Sequence, residues 1–152
     1  MNSSPEPISR QVTLEGLPAP TGPYAWTVTC GGMIFVSGLR GIDRDSGEPV
    51  AGDSERVRQI FLHLQAILDA HGCRSSDVLA TRVYVTDMVR LRPLVNDGYE
   101  SFFGADLPTR TIVEVRRLNQ DDSVEIEVVI ARRQHEQDAE AAVTQQPRGA
   151  GR

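Results

Sequence analysis

The chain has 152 residues, 16 basic and 21 acidic, for a formal charge of −5. That length suits one domain with a real core, and the acidic balance argues against a general nucleic-acid binder, which would carry a basic face. All the basic residues are arginine, which excludes any mechanism that needs a lysine of this chain, such as Schiff-base chemistry or the P-loop.

Residues 1–12 are polar, contain proline and read as a flexible segment. They hold no basic stretch followed by an apolar one, so no secretory signal is expected, and no apolar run is long enough for a membrane span. "YAWTVTC" and "MIFVSGL" are β-rich runs separated by Gly31-Gly32, which fits a hairpin turn with positive φ. A Gly-, Asp- and Pro-rich loop follows. Val57, Ile60, Phe61, Leu64, Ile67 and Leu68 then recur at helical spacing, with Asp53 as a possible cap and Gly72 as a stop. "DVLATRVYVTD" predicts a strand with Leu79, Thr81, Val83 and Val85 on one side. A second amphipathic helix uses Leu91, Leu94, Val95, Phe102 and Phe103, and tolerates Pro93 only in its first turn. "TRTIVEV" and "VEIEVVIA" complete the set as strands. The stretch 134–152 is poor in large apolar residues and is expected to be disordered.

The order β-β-α-β-α-β-β predicts an α+β sandwich over residues 13–133, with both helices on one face of the sheet. A period of two places Val124, Ile126, Val128 and Ile130 towards the helices and Glu125 and Glu127 away from them. In the preceding strand Thr111, Val113 and Val115 are expected on the core side. Arg110, Ile112 and Glu114 then face away, so Arg110, Ile112, Glu125 and Glu127 would share a helix-free face with Arg82, Tyr84, Val129 and Ala131. Such a mixed face fits either a subunit interface containing a pocket or a plain solvated surface.

Chemistry-bearing residues are otherwise sparse. Cys30 and Cys73 have no metal-ligand spacing and form no disulfide framework; a cytoplasmic chain with free thiols is the expectation. His63, His71 and His135 form no HExxH motif, metal pair or triad.

"LPTRTIVEV" followed by "VEIEVVIA" resembles the C-terminal signature of the Rid family, the reactive intermediate/imine deaminases also called the YjgF family. "GPYAWTV", "GGMIFVSGL", "VYVTDM" and "VNDGYESFFG" resemble its other blocks in the same order, so the likeness runs from Pro18 to Arg133. It implies a chorismate-mutase-like α+β domain assembled as a homotrimer, sheets facing inward, with a site at each subunit cleft. The implied chemistry is hydrolysis of an enamine or imine to ammonia and a 2-oxo acid, with no cofactor or metal and no nucleic-acid or membrane partner. On this resemblance Arg110, from the Pro-x-Arg motif, would anchor a substrate carboxylate, and Glu125 would orient or deprotonate a water. Tyr24, Ser37, Gly38 and Asn96 would line the pocket. Each has a structural competitor: an interface ion pair for Arg110 or Glu125, cleft packing for Tyr24, a strand end for Ser37 and Gly38, a helix-surface amide for Asn96.

The departures from the pattern are Trp26 and Leu39, where many of these deaminases carry glutamine, Arg40 beside Leu39, and Ile112, where cysteine is common. They imply a remodelled pocket, a specialised member and a larger, more apolar substrate. A non-catalytic trimeric carboxylate binder is the alternative; a ribonuclease or translation inhibitor fits the acidic charge least.

Overall fold

In the computed structural model, residues 7–132 are described. Six strands form one sheet in the order β1-β2-β3-β6-β4-β5. They are β1 (Ser9–Gln11), β2 (Thr27–Cys30), β3 (Met33–Arg40), β4 (Val78–Val85), β5 (Thr109–Glu114) and β6 (Val124–Ala131). Helices α1 (Asp53–Ala70) and α2 (Met88–Phe103) pack side by side on one face. All neighbouring strands are antiparallel except β4 and β5, which α2 connects. Ser9–Gln11 is paired edge strand rather than loose chain. Residues 1–6 and the 134–152 tail lie outside the described residues. No described helix is long and apolar enough to cross a membrane.

The core follows from the two periodicities. Val57, Ile60, Phe61, Leu64, Ile67 and Leu68 of α1 are all buried, against Ile34, Val36 and Leu39 of β3 and the Val124, Ile126, Val128, Ile130 stripe of β6. Gly31 (φ 57°) and Gly32 (φ 76°) make the two-residue β2–β3 turn, a conformation that glycine adopts without steric cost. Gly72 (φ 64°) ends α1, donating from its N–H to Asp69 O at 3.1 Å while Cys73 N–H reaches Leu68 O at 2.8 Å. Asp53, expected as the cap, is instead the first helical residue; Gly52 precedes it without a side-chain cap. The Asp53 carboxylate pairs with Arg90 and accepts from Ser123 Oγ at 2.8 Å, tying both helix N-termini to the start of β6. Pro93 stands in the second turn of α2, not the first; the bond it cannot donate would go to Val89, whose side chain is 89% exposed.

The face assignment of β5 is corrected. In the parallel register Thr81, Val83 and Val85 of β4 pair with Arg110, Ile112 and Glu114. The three β4 residues are buried under the helices, so Arg110, Ile112 and Glu114 point to the helix side. Ile112 packs on the core and Glu114 accepts from Met88 N–H of α2 at 2.7 Å. Thr111 and Val113 lie on the open face, where Val113 is 41% exposed. Leu79 is likewise turned out, because the β4–β6 register shifts between Val78 and Ala80. The open face carries Phe35, Arg82, Tyr84, Val113, Glu125, Glu127 and Val129, so Arg110 and Ile112 do not share it with the two glutamates.

Candidate functional site

One group of side chains gathers at the start of β5. Arg110 is exposed, yet its guanidinium is held in place. Its Nη1 donates to Asn96 Oδ1 at 2.9 Å, and its central carbon lies 4.9 Å from the centroid of the Tyr99 ring. Asn96 and Tyr99 are three apart on α2 and so present one helix face. Tyr99 is 4% exposed, and its hydroxyl donates to Thr81 Oγ1 at 2.8 Å. Burial pushes its phenol above the usual range, with the Thr81 bond and the Arg110 charge opposing. The ring is therefore a fixed platform. It lies under the guanidinium, whose planar fork can recognise a carboxylate at two points.

A second group gathers where β3 bulges. The β3–β6 register shifts between Val36 and Leu39, across Ser37 and Gly38. Ser37 Oγ donates to Ala25 O at 2.7 Å and its N–H to Trp26 O at 3.0 Å. Gly38 leaves its side-chain space to Glu125: a β-carbon there would lie 2.7 Å from the Glu125 carboxyl carbon. Burial raises the Glu125 pKa above its ordinary value, the Arg40 charge works against this, and Asp122 and Glu127 add to it. A carboxylate so placed is a stronger base than a solvated one. Beside it a cavity of about 20 Å³ is lined by Tyr24, Trp26, Gly38 and Arg40 among others. Tyr24 and Trp26 meet edge to face at 5.3 Å between centroids, and the Trp26 indole donates to Pro18 O at 3.2 Å.

The expected site residues thus fall into two sets. Arg110 and Asn96 are together at β5 and α2; Tyr24, Trp26, Ser37, Gly38, Arg40 and Glu125 are together around the β3 bulge. Two expected pocket residues join neither set. Leu39 is fully buried in the core opposite Ile126, and Ile112 packs against the core beside Val83. Arg40 lines the small cavity, but its guanidinium is bound by Asn119 O, Gln120 Oε1 and Asp122 Oδ2. Tyr99 and Asp122 were not anticipated. The spacing from Asn96 could have flagged Tyr99; Asp122 has no local signal, since its partner Arg40 is 82 positions away.

The two sets do not meet within one chain. Glu125 pairs with Tyr84 and Tyr84 with Val113, three residues beyond Arg110 and two strands over. That offset separates the α-carbons of Glu125 and Arg110 by roughly 14 Å, with the side chains on opposite faces of the sheet.

The larger cavities lie elsewhere. One of about 540 Å³ runs between α1 and α2, past Val57, Phe61, Leu94 and Phe102, and touches none of these residues. Another of about 410 Å³ is an open-face groove past Phe35, Arg82, Glu127 and Val129. Size therefore does not locate the chemistry. Among the described residues no cluster of three or more His, Cys, Asp and Glu could hold a metal ion.

The profile of the endoribonuclease L-PSP family matches residues 15–132. A RutC family protein of Pyrococcus horikoshii is 38% identical over 116 residues, covering 76% of this chain and 91% of that one. The 2-iminobutanoate/2-iminopropanoate deaminase of Escherichia coli K12 is 36% identical over 129 residues, 83% of this chain and the whole of the relative. The crystal structure of the Escherichia coli YjgF gene product superposes with a TM-score of 0.74 at 36% identity, over 82% of this chain and 100% of that one. RidA from an Antarctic Psychrobacter gives 0.76 at 27% identity, over 81% and 99%. With the profile covering both helices and every strand but β1, the chain belongs to the Rid, or YjgF, family.

Proposed function

We propose that this protein hydrolyses imines or enamines that carry a carboxylate, releasing ammonia and a 2-oxo acid, at a site made by two copies of the chain. The observation that carries this reading is the pair of half-sites. An exposed arginine over the Tyr99 ring stands on edge strand β5, and a half-buried glutamate of raised pKa stands two strands over on the opposite face, too far away to act on the same small molecule. A second copy supplies the missing half to each. The open face supports association: Met33, Phe35 and Val113 are each at least 40% exposed there, beside the Arg82–Glu127 ion pair at 2.8 Å. A homotrimer with these faces inward gives a site at each cleft, as the family resemblance implies.

The chemistry follows from the groups. Arg110 binds the substrate carboxylate with two parallel N–H donors and fixes the C=N carbon in the cleft. Glu125 takes a proton from a water, whose oxygen attacks that carbon to give a carbinolamine. The protonated Glu125 gives that proton to the nitrogen, completing the carbinolamine; the carboxylate then takes the carbinolamine hydroxyl proton and passes it to the nitrogen as the C–N bond breaks, so that ammonia and the carbonyl product leave. One water is consumed and the glutamate is regenerated. The organic part of the substrate packs on the Tyr24–Trp26 pair. With Leu39 and Ile112 in the core, that pair is the part of the remodelled wall that supports a preference for an apolar, specialised pathway substrate.

The assay generates imines in situ from alanine, leucine and phenylalanine with an amino-acid oxidase, and follows their loss by semicarbazide trapping. Faster loss and matching ammonia release are expected, with the leucine and phenylalanine products favoured. No acceleration with any of the three, together with measurable 2-oxo acid binding, would instead favour a carboxylate-binding protein.

A further inference from the structure

Arg40 is 8% exposed and carries a full charge into the interior beside the Asp122 side chain, which is 0% exposed. Its Nη1 lies 3.5 Å from Asp122 Oδ2 and donates to Asn119 O at 2.9 Å; its Nη2 donates to Gln120 Oε1 at 2.9 Å. Arg56 closes on Asp122 from α1, its Nε 3.7 Å from Oδ1. The loop so clamped is strained, with Gln120 at φ 56° and Asp121 at φ 50°, a region that residues other than glycine seldom occupy. Gln120 is gripped from its far end as well, donating from Nε2 to Gly47 O at 3.0 Å. Strained backbone persists where its surroundings over-determine it, and this loop ends three residues before Glu125. Arg40 and Glu125 are also direct cross-strand partners.

A buried ion pair contributes little net stability compared with apolar residues of the same volume, and its best-attested use is to fix an arrangement. We propose that Arg40 is a positioning residue for the Glu125 carboxylate: through Asp122 and the 119–122 loop it fixes the start of β6 over Gly38, and it stands as the cation beside that carboxylate. The inference rests on the reading of Glu125 as the base of an imine hydrolase. Four groups set the field at Glu125: Arg40 from β3, Asp122 from the loop, Glu127 from its own strand and, facing it from β4, Tyr84, whose hydroxyl donates to Glu127 Oε1 at 3.2 Å. Of these, Arg40 alone favours the charged form of Glu125.

The experiment titrates the Glu125 carboxyl by carbon NMR in the intact protein, alongside the pH profile of ammonia release, for wild type, Arg40→Met, Arg40→Lys and Asp122→Asn. In Arg40→Met the Glu125 midpoint and the acid limb of kcat/KM are expected to move up together. In Arg40→Lys both stay near wild type, because the charge is kept. Asp122→Asn moves both down, since a negative neighbour is lost, and so provides the test should Arg40→Met fail to fold. Unmoved Glu125 midpoints in folded Arg40→Met, or in Asp122→Asn, would overturn the proposal. The failure of the underlying reading looks different: the midpoints move as expected, but Glu125→Gln retains full activity or no variant, wild type included, releases ammonia.

Discussion

Gly38 and Glu125 occupy one space. A β-carbon built on Gly38 would lie 2.7 Å from the Glu125 carboxyl carbon and 2.9 Å from its γ-carbon, closer than such atoms approach. The glycine therefore serves the glutamate rather than the turn. Gly38→Ala is expected to push the Glu125 side chain aside and slow ammonia release by about 100-fold, the order of loss that a 1 Å misplacement causes. Glu125 is only partly buried and its side chain can rotate away, so the melting temperature should move little. Full activity in folded Gly38→Ala would show that the carboxylate need not stand where it does.

Arg110→Lys and Arg110→Ala address the other half-site. Lysine keeps the charge but has no planar fork over the Tyr99 ring. Losing a charge-assisted hydrogen bond of about 1.5–3 kcal/mol slows the reaction by roughly one to two powers of ten. Both variants should fold normally, because the side chain is exposed at an edge strand. Steady-state ammonia release with either variant checks this, and near-normal turnover would remove Arg110 from the mechanism.

The contrast between these two residues shows what the sequence exposes. The α1 stripe and the β6 alternation were legible because each repeats over many positions and one slip would bury charge. β5 was not. Its Thr, Ile and Val alternate on both faces, so the period of two cannot tell the core side from the open side, and an edge strand tolerates Val113 outside. The outcome was decided by the parallel pairing with β4, a tertiary fact. Leu79 misled for a related reason: a bulge adds a residue and flips the alternation after it. At the site, Arg110, Asn96 and Glu125 came from motif likeness, whereas the clamp on Arg40 depends on contacts with residues 119–122. In the sequence Arg40 reads as a cation of the remodelled pocket, and nothing local reveals that the 119–122 loop binds its guanidinium.

A pH effect on stability follows from His63. It is 2% exposed and donates from Nε2 to Ile42 O at 2.9 Å, pinning the loop after β3 to α1. Burial lowers its pKa below the ordinary 6.5, with the Ile42 and Gly16 carbonyls opposing. The unfolded chain then takes up the proton first. Stability is complete above about pH 6.5 and declines as pH falls below that value. His71, lowered by burial and by the charge of Arg132, acts in the same direction. Melting temperatures should therefore drop between pH 7 and 5. His63→Gln, whose amide can donate to the same carbonyl, should flatten part of that slope, and an unchanged slope would assign it to other groups.

The central claim is that each site takes Arg110 from one copy and Glu125 from another. Light scattering should first give about three times the 16.7 kDa chain mass. The decisive measurement mixes two impaired proteins. Arg110→Ala and Glu125→Gln are prepared separately, then unfolded together, refolded and assayed for ammonia release. If the half-sites belong to different copies, random assembly restores roughly a quarter of the sites with both native residues, and activity rises well above that of either parent. If both residues act within one chain, no mixed assembly contains a complete site, and the mixture stays between its components.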